Sequence, residues 1–592
     1  MPSSRMWWGQ SLQNDDVTEK AMPRQKLLLL FTCCLVCAPG LYAQDANEFQ
    51  RVAKRIMDAY DIGEELQHAP DSGNFYGGAY LGASSNGRAM PSGYFTYLKD
   101  KLLFTSRLSV DFSDQSSEKD VSTKFTSGAD QTTASDMLTQ YERVDFSTRL
   151  DYASSGSSIF SIGLLESYNY KRENEHTVKN GHDVDGNSLE SRYEEQHRSN
   201  RDLKLGGLLQ YIYDVEKAGR LTTRLNLKYN YKPTTVSSDV WAARSELSLR
   251  EQEQTLYNFD PYAMVRFESK AWGGFKFRVE EKYTLENMRI KDTETAFNFK
   301  TYSLLSTAYL TYAYAGLSLN ANLRYEHFIT DLDDHETATR YNTYNDWMLS
   351  LKATLKAGKR SKFVLSFDRD IQRPTYTQLY PFIHIGSSIG VMVVGNPALQ
   401  PLKNNQVKFS HTYTATHWKL TNSLAYMHTS DDISQVSSYD ELSYRSVKTW
   451  VNDADYYRLR YAAGGEVRYG AFSTTAELHA QYLDYDGESI STDQSFSWNF
   501  KLQPQMKVGN DWTLSSVLHY TGRETHLYYY NNSTFYWSLR AVKQIGKWAL
   551  YAFLQDIIQP ERKRVLTNNS QNTITLTRPK SRCLIVGCSY TF

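Results

Sequence analysis

The sequence predicts an all-β protein, a transmembrane antiparallel up-and-down β-barrel of about 20 strands (range roughly 18–22). Apolar and polar residues alternate in segments of about 10–16 residues, whereas strands of globular sheets centre on 5–6. Short turns alternate along the chain with long polar loops. Aromatic residues make up 14% of the 592 residues, with 44 tyrosines, yet the mean hydropathy is −0.56. Aromatic enrichment without long apolar runs is typical of barrels that carry aromatic girdles at both membrane interfaces.

The first element, residues 1–43, is predicted to be a signal peptide. Residues 27–36 form an apolar core that follows Arg24 and Lys26, and cleavage is predicted after Ala43. The apolar run is too short to cross a bilayer, which argues against a membrane anchor or a buried helix. The residues before Met22 are polar, so Met22 is a candidate for the true start, which mass spectrometry of the nascent product would test.

The second element, residues 44–98, is predicted to be a periplasmic lead-in. Apolar residues at helical spacing predict a short amphipathic helix over 46–60, and a glycine-rich passage follows from Gly63 to Gly87. In one interpretation this segment packs on the barrel mouth. In the other it is a small lumen plug or a handle for a partner.

The third element, residues 99–592, is predicted to be the outer-membrane β-barrel. One face of a typical segment carries Leu221, Leu225, Leu227, Tyr229 and Tyr231, and the other face carries Arg224, Asn226, Lys228, Asn230 and Lys232. A soluble sheet can alternate in the same way, but the segment lengths and the two classes of connection favour a membrane barrel with short periplasmic turns and long extracellular loops.

Both classes of connection can be placed on the chain. Short turns are predicted near 155–156, 218–219, 273–274, 315–316, 357–358, 416–417, 470–471, 510–511 and 546–547. Long polar loops are predicted near 114–137, 172–200, 232–254, 330–341, 372–402, 431–452 and 562–576.

The last strand is predicted over 582–592. Its two faces separate Leu584, Val586, Cys588, Tyr590 and Phe592 from Cys583, Ile585, Gly587, Ser589 and Thr591. An unpaired terminal edge is a liability, so we expect this strand to pair with the first strand and close the barrel.

The most specific motif lies within residues 366–401. R-P-x-Y-x-x-L-x-P-F begins at Arg373, and G-N-P-x-L-x-P begins at Gly395. Pro374 ends a strand because it cannot donate to the ladder, and Asn396-Pro397 turns the chain back. Over residues 100–592 this pattern resembles the barrel domain of TonB-dependent receptors, in the outer-membrane β-barrel family. The final Tyr-Thr-Phe592 is similar to the signature that such barrels present to the barrel assembly machinery.

The resemblance also implies a globular plug and a short box that contacts the energy-transducing protein. The interval between Ala43 and residue 99 is too short for that plug, and no such box is found. The plug domain is therefore predicted to be missing. Since a barrel of this width must conduct or be filled, we expect inward-folded loops, the 46–98 segment, or a plug-like or surface-lipoprotein partner to occupy the lumen.

Two polar loops are examined as candidate metal sites. The first carries His176, His182, Asp183, Asp185, Gly186, Asn187 and His197, and the second carries Asp331, Asp333, Asp334, His335 and Glu336. Asp183-x-Asp185-Gly186 resembles part of a calcium loop, but the liganding Glu and the full spacing are absent. The first loop is predicted to be a solvated turn, the second is predicted to be solvated surface or to bridge lipopolysaccharide, and no metal or cofactor is expected.

Composition and the lack of catalytic motifs narrow the function further. Lys+Arg and Asp+Glu are both 66, which gives no support for nucleic-acid binding. Cys33, Cys34 and Cys37 lie in the signal peptide, and Cys583 and Cys588 point to opposite faces of one strand, so no disulfide is expected. The sequence has no H-E-x-x-H, G-x-S-x-G or P-loop motif, so no catalytic residue is proposed and the protein is not expected to be an enzyme.

These observations predict an integral outer-membrane barrel that binds a solute or transports it across the bacterial outer membrane. Its expected partners are outer-membrane lipid and lipopolysaccharide. The alternative is a closed, non-transporting barrel that serves as a structural or interaction platform. A membrane-embedded hydrolase is a third hypothesis, which hydrolysis of lipid by the purified protein would be needed to support.

Overall fold

The computed structural model is a closed antiparallel β-barrel of 22 strands. It describes residues 75–591, except residues 86, 100–101, 126–127, 156, 183–184, 189–190, 243–244, 293–295, 334–339, 380–390, 441–444, 488–493, 510, 526–528, 559 and 568–570. The sheet contains 28 strand segments, some of which continue one another across a bend. The predicted signal peptide, the cleavage site and the helix predicted over 46–60 lie outside the described residues.

The strand segments are short near both ends of the chain and longest in β3 to β7 and in β15 and β16. Their bounds are β1 Phe75–Ser84, β2 Ser92–Lys99, β3 Leu102–Phe125, β4 Asp130–Ser155, β5 Ser158–His182, β6 Arg192–Val215, β7 Gly219–Ala242, β8 Ser245–Phe259 continued by Tyr262–Ser269, β9 Phe275–Asp292, β10 Ala296–Tyr314, β11 Leu317–Asp333, β12 Arg340–Ala357, β13 Ser361–Gln372, β14 Leu402–Thr414, β15 Trp418–Asp440, β16 Arg445–Tyr469, β17 Phe472–Gly487, β18 Gln494–Val508, β19 Trp512–Thr521 continued by Glu524–Thr525, β20 Tyr529–Asn531 continued by Thr534–Ile545, β21 Trp548–Gln555 continued by Arg562–Thr567, and β22 Gln571–Pro579 continued by Cys583–Thr591. Between β13 and β14 lie one helical turn, α1 Tyr376–Leu379, and a short strand, Val391–Val393.

The barrel begins earlier than the sequence predicts. β1 and β2 lie within the segment predicted to be a lead-in, so the predicted boundary at residue 99 is wrong. They also raise the strand number from the predicted 20 to 22, the upper limit of the predicted range. Glycines at 77, 78 and 82 replace the apolar side chains that would have revealed β1 as an alternating strand.

The barrel closes, as predicted, where the terminal strand pairs with the first one. β1 pairs with β22 in antiparallel register, with Gly82 opposite Gly587, and Gly587 is in turn opposite Tyr551 of β21. A Cβ atom on either glycine would overlap the Tyr551 side chain. The Tyr551 ring stacks on Tyr80 at 5.4 Å between centroids, and its hydroxyl donates a hydrogen bond to the Leu81 carbonyl at 3.3 Å. The ring therefore covers two glycines and joins three strands at the seam.

Several predicted long loops are in fact extended hairpins. β3 to β7 are 24–26 residues long, well beyond the roughly 9–11 residues that a tilted strand needs to cross a bilayer. Most of the predicted loops at 114–137, 172–200 and 232–254 therefore continue the ladder outside the membrane. Among the described loops, 372–402 differs because it leaves the wall.

The outer surface has the distribution expected for lipid contact. Large apolar side chains point outward along the strands, with Leu164 and Val265 60% and 51% exposed. At the short turns Trp272, Tyr314 and Tyr469 are 85%, 70% and 73% exposed, consistent with an aromatic girdle at the periplasmic interface. The predicted turn at 315–316 joins β10 to β11, with a left-handed φ of 88° at Gly316.

None of the helices in the described part of the chain is long and apolar enough to span a bilayer.

Candidate functional site

The inner wall of the barrel is polar and cross-linked by ion pairs. On β4 to β13 these join Arg149 to Asp151 at 2.9 Å, Arg220 to Asp214 at 2.8 Å, Arg266 to Glu280 at 2.6 Å and Arg324 to Asp370 at 3.1 Å. Each pair lies within one strand or between nearby strands, so the charges of these four pairs neutralise each other locally.

Above this wall lie residues 373–401, here called the mouth loop, whose described parts, 373–379 and 391–401, fold into the extracellular end of the lumen. β13 ends at Gln372, and the buried Pro374 that follows cannot donate to a ladder. Thr375 then starts the α1 turn, where its backbone N–H donates to the Gln378 side chain at 2.8 Å and its carbonyl accepts from the Leu379 N–H at 3.1 Å. These local bonds turn the chain away from the wall.

The mouth loop is held first by an apolar cluster. Leu379 and Leu399 are only 3% and 1% exposed. They pack against Met288 and Ile290 of β9 and Phe297 and Phe299 of β10, with Leu256, Tyr376, Ile433 and Trp450 around them. Met288 and Ile290 alternate with exposed residues of β9, so they belong to the inner face. The loop therefore reaches across the mouth from its own strands to β9 and β10.

The mouth loop is held second by Arg373, which is 13% exposed. Its guanidinium contacts Glu326 of β11 at 3.2 Å and Asp346 of β12 at 2.5 Å. It also lies over the rings of Phe328 and Tyr344, at 5.1 and 4.9 Å from their centroids. Two carboxylates and two ring faces enclose one cation, an arrangement suited to the planar arginine head.

The third attachment is a set of amide hydrogen bonds to β16. The Asn396 side chain donates to the Trp450 carbonyl at 2.9 Å. Asn452 accepts from the Gln400 N–H at 2.7 Å and donates to the Gln400 and Asp431 carbonyls at 3.1 and 2.8 Å. The Asn452 side chain thus pairs with both the N–H and the carbonyl of Gln400, as the backbone of a neighbouring strand would.

The hairpin of β15 and β16 bends toward the mouth loop and joins it. The register of β15 and β16 shifts between Thr429 and Asp432, and Asp431 has a left-handed φ of 58°, which are the marks of a β-bulge. Beyond the bulge, Val391–Val393 of the mouth loop pairs in parallel with residues 446–448 of β16. The described parts of the mouth loop and of the β15–β16 hairpin therefore join into one cover.

Burial in this cover shifts the pKa of several groups, among them Tyr376 of the mouth loop. The Tyr376 side chain sits over the inner wall, and burial raises the pKa of its hydroxyl above the ordinary value. The nearby Glu286 carboxylate adds to that shift. Tyr376 is therefore a neutral hydroxyl at physiological pH.

The described residues of the two loops considered as metal sites are not grouped around a common point. No group of three or more His, Cys, Asp or Glu residues among those described is arranged to hold a metal ion. His176 and His197 lie on either side of Glu195, at 3.7 and 3.4 Å, and His182 lies 2.9 Å from Asp130.

The remaining residues of those two loops are exposed or not described. Asp185, Gly186 and Asn187 are exposed. Asp331 and Asp333 belong to β11, and Asp183, Asp334, His335 and Glu336 lie outside the described residues. Cys583 and Cys588 are both free thiols.

Sequence reasoning found part of this site. The motifs at Arg373 and Gly395 mark the mouth loop, and inward-folded loops were among the expected occupants of the lumen, but the sequence did not indicate that this loop folds inward or that Asn452 holds it. A single asparagine in an alternating strand carries no local signal, since its partners lie more than twenty residues away in sequence.

Comparison with known proteins gives a family and a fold. A profile of the outer membrane protein beta-barrel family matches residues 275–592, more than half of the chain. No curated protein matches the chain in sequence.

Three solved structures illustrate the similarity of fold. The copper transporter OprC has a TM-score of 0.62 at 12% identity over 88% of this chain and 80% of its own. The FrpB iron transporter from Neisseria meningitidis has a TM-score of 0.56 at 9% identity over 90% and 83%. The siderophore receptor PirA from Pseudomonas aeruginosa has a TM-score of 0.53 at 10% identity over 86% and 80%.

Proposed function

Because the chain belongs to the outer membrane protein beta-barrel family, we propose that it binds a solute at its outer mouth and passes it across the outer membrane through the barrel, with the mouth loop as the gate. Family membership and the TonB-dependent-receptor-like fold establish the outer-membrane barrel. The transport activity is the step that we propose. Solved proteins of similar fold that are named as transporters of copper and iron support it.

The observation that carries the proposal is the way the mouth loop is attached. Its described contacts are one arginine between two carboxylates, a few amide hydrogen bonds, a small apolar cluster and a parallel pairing of three residues with β16. The strands of the wall, by contrast, are joined by long continuous ladders. The loop can therefore be released without opening the wall, because local opening needs only the contacts of the segment that moves.

The experiment is a reversible lock on the mouth loop. Val393 lies opposite Lys448 in the parallel pairing, so a Val393→Cys/Lys448→Cys variant places two thiols on adjacent strands. The full chain is reconstituted in liposomes and planar bilayers, and swelling with a series of neutral sugars and potassium chloride conductance are measured. We expect oxidation of the double variant to stop both, and a reducing agent to restore them. The two single-cysteine variants are the matched controls.

Each outcome decides between the two functions. Flux that is unchanged in the oxidised double variant would refute the gate. If the wild-type protein passes neither sugars nor ions, and releasing the mouth loop changes nothing, the result would favour the alternative function. That alternative is a closed barrel that serves as a structural or interaction platform.

The proposed partners are tested separately. We propose that the terminal strand is recognised by the barrel assembly machinery and that a plug-like or surface-lipoprotein chain associates with the barrel. Affinity purification from detergent-solubilised outer membranes, with identification of co-purified chains, tests both associations. Recovery of the barrel alone would argue against the second association.

A further inference from the structure

Three cationic side chains lie at one level of the inner wall. Lys352 of β12 pairs with Ser366 of β13, which pairs with Lys408 of β14. Lys408 pairs with Ala425 of β15, which pairs with Arg460 of β16. Directly opposed residues point to the same side of a sheet, so these five side chains share one face.

That face is the lumen. The chain neighbours Leu351, Val407 and Leu459 point to the lipid side and are 42%, 44% and 43% exposed there. Since successive residues of a strand point to opposite faces, Lys352, Lys408 and Arg460 point inward. All three are exposed, so a solute in the lumen can reach them. We call these three residues the cationic belt.

The spacing of the cationic belt lets one ligand contact more than one charge. Successive members are two strands apart, which is about 10 Å between backbones at roughly 4.8 Å per strand. The intervening Ser366 and Ala425 are small, and a Cβ on Gly464 farther down β16 would meet nothing within 4 Å. The long side chains therefore have room to converge.

The cationic belt also differs from the paired cations of β4 to β11 in its lack of partners. Across the described residues, none of its three cations makes an ion pair or a side-chain hydrogen bond. Four arginines on β4 to β11, by contrast, are paired with carboxylates at 2.6–3.1 Å. On the level above, Asp368 of β13 lies diagonally next to Lys352 and Lys408, and Arg458 of β16 adds a further cation to that level. The level below, from Thr354 to Ala462, holds no carboxylate. Among the described residues, the belt level and the level above it therefore carry four cations and one carboxylate, a net positive charge on one side of the lumen.

We propose that the cationic belt binds anionic solutes with two or more negative groups, an inference that rests on the proposed transport function and specifies its substrate class. Charged rings and walls of arginine and lysine select anions in pores because the confined field concentrates them. Carboxylate and phosphate groups form short charge-assisted hydrogen bonds with both side chains. A multivalent anion bridges neighbouring members and relieves their mutual repulsion.

The test is calorimetric titration of the full chain in detergent with tripolyphosphate and with citrate, using a neutral sugar as a blank. We expect wild-type protein to bind both anions, more weakly as ionic strength rises. The triple variant Lys352→Gln/Lys408→Gln/Arg460→Gln should bind at least ~10-fold more weakly. The single variant Arg460→Lys should retain binding because it keeps the charge.

A matched control removes three cations from the periplasmic turns, Lys217→Gln/Lys359→Gln/Arg360→Gln. It changes net charge equally, and we expect it to bind as wild type does. Resistance of each variant to unfolding in dodecyl sulfate shows that the barrel is intact. Equal binding by the belt variant and the wild type, or no binding by the wild type, would overturn the inference.

Failure of this inference is distinguishable from failure of the proposed function. If the wild-type protein binds the anions, the belt variant does not, and neither passes a solute, the anion site is supported and the transport function is refuted. If the wild-type protein passes sugars and ions but binds neither anion, the proposed anion site is refuted and the transport function is supported.

Discussion

The mouth loop and the tip of the β3–β4 hairpin are two long polar segments with opposite structures. At the hairpin tip, the ladder runs without a break from the wall up to the pair Lys124 and Asp130. The mouth loop leaves the sheet after Gln372, folds over the inner wall and returns at Leu402. The first segment extends the barrel outward, and the second reduces the opening of its lumen.

The difference follows from residues that polarity alone does not reveal. Residues 114–137 contain no proline and one glycine, so every residue can join an antiparallel ladder. The mouth loop contains prolines at 374, 381, 397 and 401, which remove ladder donors, and leucines at 379 and 399, which gain by leaving water. Proline stops the hairpin from continuing, and the apolar cluster then determines where the loop goes.

The largest effect is expected from the apolar anchor. Leu399→Ala leaves a cavity in the fully buried cluster and should weaken the docking of the mouth loop by about 2–5 kcal/mol. Limited proteolysis should then cut within residues 373–401, with little change in the β3–β4 tip. Leu399→Met, which roughly conserves volume, is the control. Equal protection of Leu399→Ala and wild type would contradict the role of the cluster.

A somewhat smaller effect is expected from the arginine clamp. Arg373→Ala leaves Glu326 and Asp346 facing each other without their shared cation, and hydrogen bonds to charged groups contribute about 1.5–3 kcal/mol. Hydrogen exchange of residues 373–379 should speed up, and bilayer conductance should rise. Arg373→Lys keeps the charge but loses the planar fork, so we expect an intermediate result. An unchanged exchange rate in Arg373→Ala would show that the clamp does not hold the loop.

A third prediction concerns the amide that binds the loop to β16. Asn452→Ala removes three hydrogen bonds, each with a net contribution of roughly 0.5–1.5 kcal/mol. Asn452→Asp keeps the acceptor for the Gln400 N–H and loses the donor, so it should lie between wild type and Asn452→Ala. Exchange of the Gln400 amide is the readout. If exchange in the β3–β4 tip also became faster, the two regions would be coupled, which would contradict the independence of the mouth loop from the hairpin tip.

The smallest effect is expected in the hairpin tip, where the ladder and not an ion pair holds the structure. Lys580 donates to Glu118 at 2.7 Å, and this hydrogen bond lowers the pKa of Glu118. A carboxyl whose pKa is lowered in the folded state stabilises it at pH above the unfolded value of about 4.3, and the contribution is lost as pH falls through the lowered pKa.

Hydrogen exchange of the tip, compared between pH 7 and pH 3 after correction for the intrinsic rate, measures this contribution. We expect a small loss of protection at pH 3 in wild type and no pH-dependent loss in Glu118→Gln. A tip that opens fully in Glu118→Gln at pH 7 would show that the ion pair, rather than the ladder, holds it.

The sequence by itself determined the all-β class, the short periplasmic turns and the pairing of the terminal strand. These features are local, because alternation has a period of two and turn residues act within a few positions. The same local rule failed at β1, where Gly77, Gly78 and Gly82 erase the alternation and Tyr551, far along the chain, fills the space above Gly82.

Only the tertiary structure decided the direction of the mouth loop, the attachment by Asn452 and the level shared by Lys352, Lys408 and Arg460. Each of these depends on strand register or on contacts between residues distant in sequence. A shift of one residue in any pairing would move a whole strand's side chains to the other face, and no local pattern encodes that alignment across five strands. The closed ladder of the barrel supplies it.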